Sequence, residues 1–168
     1  MRGHSLLQSL LVNLRSLVEG YVEGLPDSSL LDFGPVPFPS GARSFRRFYS
    51  SSNEVNPSRI TAGGTSFAVS SFGLSMLSEP LLFEHLQSIH TFSQRVFFID
   101  FKEPERNIEI PAAALLGGIR WLCSSSDNMF SKEGGLEGLL HRERGRFRII
   151  ERYTRFGGGI ICILAECQ

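Results

Sequence analysis

Residues 95–103 carry phenylalanine and β-branched side chains on both faces, which makes this segment the strongest strand in the chain. A strand cannot stand alone, so the rest of the sequence is constrained to supply a sheet around it. Residues 66–72 alternate Phe67, Val69 and Ser71 against Ala68, Ser70 and Phe72, after the turn signal Gly63-Gly64. Residues 146–154 and 160–166 flank Gly157, Gly158 and Gly159 and read as a hairpin. Pro104, Arg106 and Asn107 form a turn leading into a return strand at 108–110. Between these strands lie helical patterns. One begins near Pro80 and buries Leu82, Phe83, Leu86 and Ile89, while another runs from Ala112 to about Cys123 and buries Leu115, Ile119 and Leu122. Strands in hairpins, interrupted by helices rather than alternating with them, predict an α+β fold: an antiparallel β-sheet with helices packed on one face.

The N-terminal segment adds an amphipathic helix over residues 5–23, because Leu6, Leu7, Leu10, Leu11, Leu14, Leu17, Val18, Tyr21 and Val22 recur at three- and four-residue spacing. Gly24 and Pro26 end it, and Pro35, Pro37 and Pro39 keep the following stretch irregular. The expected organisation is therefore a helix and Pro-rich linker over 1–49 and an α+β domain over 50–168. The helix has two readings. It packs on the domain core, or it is a mitochondrial targeting helix, being free of acids until Glu19. The run from Ser44 through Arg46, Arg47, Phe48 and Tyr49 to Ser52 resembles plant mitochondrial presequence cleavage sites, which implies a mature protein beginning near Ser50.

A chain of 168 residues can bury the core of one domain, and 42% hydrophobic against 20% charged residues argues against disorder. Three cysteines, Cys123, Cys162 and Cys167, are too few for a disulfide framework and suggest reduced thiols in an intracellular compartment. That compartment is mitochondrial if the leader is one, and otherwise cytoplasmic or nuclear. No stretch reaches the roughly 20 consecutive apolar residues of a membrane span.

Motifs for chemistry are absent. His85 and His90 are five apart on a helix, about 500° of rotation, and do not share a face as a zinc pair would. Cys162 and Cys167 point to opposite faces of a strand, so no metal is expected. No G-x-S-x-G elbow occurs, and the glycines at 157–159 lack the lysine of a phosphate loop. Asp100, Glu103, Glu105 and Glu109 gather about one turn, where solvation accounts for them. The expectation is a protein that is not an enzyme and holds no cofactor.

The sequence's one concentrated signal is basic. Residues 142–155 hold six arginines against Glu143 and Glu151, a local charge of +4 in a chain whose net charge is zero. Arg142, Arg144, Arg146, Arg148 and Arg152 have even spacing, and in an extended chain they project from one face while Phe147, Ile149 and Tyr153 project from the other. Such a face tracks phosphates, and single-strand binders add rings on which bases stack. Phe98, beside Asp100 and Lys102, is the expected platform, with Phe48, Tyr49 and Trp121 as contributors. The alternative is an edge strand kept soluble by charge.

The stretch 95–123, with Ile110-Pro111, Gly118 and Trp121, resembles the repeat of the PUR family and related plant proteins. Residues 145–167 resemble the opening of a second copy. The resemblance, also to Whirly-like proteins of plant organelles, implies a curved antiparallel sheet that binds single-stranded nucleic acid. The expected function is thus a small nucleic-acid-binding module for single-stranded DNA or RNA. The alternative is a non-enzymatic interaction domain that docks on a partner, or on itself, through residues 5–23.

Overall fold

The computed structural model describes residues 2–39, 41, 43–48, 66–102 and 129–168. Helix α1 spans Arg2–Tyr21. A short 3-10 turn at Asp27–Ser29 leads into strand β1, Leu30–Asp32, and β2 follows at Arg46–Arg47. Strand β3 (Phe67–Ser71) is followed by the one-turn α2 (Gly73–Met76), α3 (Glu79–Phe92) and β4 (Arg95–Phe101). The chain closes with α4 (Met129–Lys132), α5 (Gly135–Arg142), β5 (Phe147–Arg155) and β6 (Ile160–Cys167).

The fold is α+β, with an N-terminal helix on a six-stranded sheet of order β2-β1-β3-β4-β6-β5. Strand direction is mixed. β2, β1, β3 and β4 run parallel, whereas β6 is antiparallel to both β4 and β5. Burial explains the composition of the inner strands: every residue of β3, and all of β4 after Arg95, is inaccessible, as expected where helices cover both faces.

Each face has its own core. On one, Leu7, Leu11, Leu14 and Val18 of α1 pack with Val22 on Leu30, Val69, Phe97, Ile99, Cys162 and Leu164. On the other, Leu82, Leu86 and Ile89 of α3, with Phe130 and Leu139, pack on Ala68, Val96, Phe98, Ile161 and Ile163. The apolar stripe of α1 is therefore spent inside the molecule, which removes it as the docking surface of the interaction-domain alternative. Residues before position 50 also supply β1 and β2, so the chain on both sides of the expected 49/50 boundary builds a single sheet. Among the described residues, no helix is long and apolar enough to cross a membrane. The expected return strand at 108–110 and helix at 112–123, and with them most of the PUR-like stretch, lie outside the described residues.

The arginine face does not form. Arg142 ends α5, Arg144 and Arg146 lie in the turn after it, and only Arg148 and Arg152 of the five stand on β5. A β-bulge between Ile149 and Glu151 then breaks the alternation. Arg148 comes opposite Glu166 and Arg152 opposite Ile163, three residues apart on β6, so the two project from opposite faces. Ion pairs engage them as well. Arg142 Nη1 lies 2.6 Å from Glu133 Oε1, Arg146 pairs with Glu143 at 3.2 Å, Arg148 Nε donates to Glu166 at 3.1 Å, and Arg152 Nε lies 2.8 Å from Glu137. Phe98 is no platform: it is buried, its ring edge-on to Phe147 at 5.7 Å. Lys102 is buried too.

Candidate functional site

The parallel half of the sheet has the order 2-1-3-4. From β1 the chain moves outward to β2, then crosses back to add β3 on the other side. Open parallel sheets bind ligands outside the carboxyl ends of their strands at such a reversal, which here is the junction of β1 and β3. Two buried carboxylates, a left-handed phenylalanine and a hydroxyl without a partner among the described residues lie at or beside it.

Asp32 closes β1. Its carboxylate is buried and accepts the backbone N–H of Gly34 (3.0 Å) and of Phe38 (3.0 Å), holding the turn that leaves the strand. Burial pushes its pKa up to about 6, against the pull of those two N–H groups and of Arg47. Gly34 lies directly on the end of β3. A Cβ at this position would sit 2.7 Å from Ser71 N and 2.8 Å from Ser71 O, so no other residue fits without displacing backbone. Ser71 itself is fully buried, and its hydroxyl has no hydrogen-bond partner among the described residues. Register places Ser71 and Asp32 on the α1 face, since Asp32 stands opposite Val69 and side chains alternate along β3.

The next residue, Phe72, has φ 56° and ψ 21°, a left-handed conformation that is rare for a bulky side chain. This corner turns β3 sharply into α2. From β4, Asp100 reaches the same turn: its Oδ2 accepts the N–H of Leu74 (3.0 Å) and Ser75 (3.2 Å), and Oδ1 accepts that of Phe101 (2.9 Å). Burial raises its pKa to about 6, opposed by these N–H groups and the Ser75 hydroxyl. Beneath lies a buried polar pair, Ser70 Oγ and His85 Nε2 at 2.9 Å. Gly73 covers it so closely that a Cβ there would come within 2.7 Å of the imidazole. Burial lowers the His85 pKa to about 4, so the ring is neutral at pH 7. No group of three His, Cys, Asp or Glu side chains among the described residues could hold a metal ion.

These shifts make stability depend on pH in opposing ways. His85 titrates at about 4 when folded, below the ordinary 6.5, so its contribution is complete above pH 6.5 and lost as pH falls through 4. Asp32 and Asp100 titrate at about 6, above the ordinary 3.8, so theirs is complete below 3.8 and lost as pH rises through 6. His85→Gln keeps a partner for Ser70 but does not titrate. Between pH 7 and pH 5 this variant is expected to gain about 2 kcal/mol relative to the parent. Urea titrations at the two pH values measure it, and parallel behaviour of the two proteins would place the imidazole in water.

No family model matches the chain, and no curated protein matches it. Solved structures do. The complex of LepI with SAM superimposes with a TM-score of 0.54 at 10% identity, covering 94% of this chain and 41% of that one. A pericyclic reaction enzyme superimposes with a TM-score of 0.55, again at 10% identity and with the same coverage. At that identity the likeness is one of fold, and the chain spans 41% of the length of each neighbour. The neighbours, a SAM complex and an enzyme, stand against the expectation of a non-enzymatic nucleic-acid module, whose arginine face does not form, and against that of a docking protein, whose helix is packed on the core. Nothing in the likeness points to a plant or mitochondrial protein.

Sequence reasoning named Asp100 and His85 but as a solvated turn residue and a failed zinc ligand. It passed over Asp32, Gly34 and Ser71. A signal was present: Ser70-Ser71 are adjacent hydroxyls inside an apolar strand, and Asp32 with Gly34 follows a short apolar run.

Proposed function

We propose that this chain is a SAM-binding enzyme domain, with the ligand held outside the carboxyl ends of β1 and β3. The observation that carries the proposal is the 2-1-3-4 strand order, whose reversal coincides with the corner built by Asp32, Gly34, Ser71 and Phe72. The likeness to a SAM complex over 94% of the chain supports it. The residues fit such a ligand. SAM brings a sulfonium cation joined to a nucleoside and an amino-acid tail. Asp32 and Asp100 supply negative charge close to the corner, the buried Ser71 hydroxyl supplies a hydrogen-bonding group that has no partner among the described residues, and the bare Cα of Gly34 supplies the close backbone approach.

Calorimetric titration with SAM tests the proposal. Binding is expected with a dissociation constant on the order of micromolar to tens of micromolar at pH 7.5. It weakens below pH 6 as the two carboxylates take up protons. Gly34→Ala forces the Ser71 backbone away, costing about 1–3 kcal/mol of stability, and it abolishes binding. Absence of heat with millimolar SAM at pH 7.5, from a protein that melts cooperatively, would refute the proposal.

A further inference from the structure

A hydroxyl without a partner among the described residues, a bulky residue in the left-handed region and a glycine pressed on backbone each cost folding free energy, and all three meet within one corner of this molecule. Sequences tolerate such local violations mainly where function requires them. The hydroxyl is the most informative of the three. Ser71 stands on a strand whose other α1-facing positions, Phe67 and Val69, are apolar, and alanine would fit the same packing without leaving a polar group unsatisfied. Its retention there has no structural benefit among the described residues.

From this we infer that Ser71 is a ligand-binding residue, its hydroxyl hydrogen-bonding a polar group of the adenosyl ligand at the β1–β3 corner. The inference rests on the SAM-binding proposal and deepens it by assigning one specific contact. Ser71 exchanges stability for recognition. A structural serine would do the opposite, since removing a partnered hydroxyl destabilises the fold.

Ser71→Ala separates the two through a pair of measurements on the full chain. Without ligand, its melting temperature is expected to rise by about 3 °C, because the variant no longer buries an unsatisfied group. Its dissociation constant for SAM is expected to increase by about tenfold, and Ser71→Cys, similar in size but a weak hydrogen-bonding group, is expected to bind as poorly as the alanine variant. Unchanged SAM affinity in Ser71→Ala would overturn the inference while leaving the SAM proposal standing, as would a lowered melting temperature with affinity retained. Failure of the parent chain to bind SAM would remove both.

Discussion

A protein consisting of residues 50–168 alone is expected to be unfolded. Residues before that point contribute eleven buried apolar side chains, from Leu7 in α1 to Phe48 after β2. At about 1.5–3 kcal/mol for each buried side chain, their loss exceeds the roughly 5–15 kcal/mol by which a whole domain is stable. Geometry makes matters worse. Without α1 and β1, the face formed by Phe67, Val69, Phe97 and Ile99 lies open to water, and β3 becomes a raw edge. Circular dichroism and gel filtration of the shortened chain measure the outcome. Loss of near-ultraviolet signal with aggregation is expected, whereas a cooperative melt would contradict the assignment of β1 to the sheet interior.

Asp100→Ala is expected to cost about 3–5 kcal/mol. Three backbone N–H groups, of Leu74, Ser75 and Phe101, lose their acceptor at once inside the protein. Asp100→Asn keeps one acceptor oxygen but turns an amide donor towards a backbone donor, so it is expected to cost about 1–3 kcal/mol. Because α2 is a single turn bent back from Phe72, the effect extends to the corner itself, and the alanine variant is expected to lose the proposed SAM binding as well as stability. Urea unfolding gives the stability order parent, asparagine, alanine. A loss under about 1 kcal/mol for alanine would show that water replaces the carboxylate and that the turn holds itself.

Much of this fold was legible because much of it is local. The leucine spacing of α1, the stripe of α3 and the glycine-centred β5–β6 hairpin are periodic signals that near neighbours suffice to produce. β1 and β2 have three and two residues in a proline-rich stretch, and what makes them strands is the parallel pairing of β1 with β3, across a long gap in sequence, and of β2 with β1. Nothing within so short a run announces that. Strand direction was hidden for the same reason, since it depends on connections rather than on the strands. The arginines misled because alternation was extended through Ile150, where the bulge reverses it, and because Glu133, Glu137 and Glu166 come from other elements to meet them. Phe98 was assigned to an open face because α3 and α5 cover it from a distance in sequence.

The site was less legible than the fold. A switch point belongs to the topology, and the adjacent hydroxyls Ser70-Ser71 and the Asp32 and Gly34 pair acquire a meaning only when β1 is laid beside β3. Burial converts these ordinary residues into unusual ones: it raises two carboxylates to about 6 and leaves a hydroxyl without a partner among the described residues.

Amide chemical-shift mapping during a titration of the full chain with SAM tests the proposed binding corner most directly. The largest changes are expected at Asp32, Phe33, Gly34 and from Ser71 to Ser75, with β5 from Arg148 to Arg155 unmoved. Changes concentrated on β5, or a spectrum that SAM leaves untouched, would contradict a binding corner at the carboxyl ends of β1 and β3.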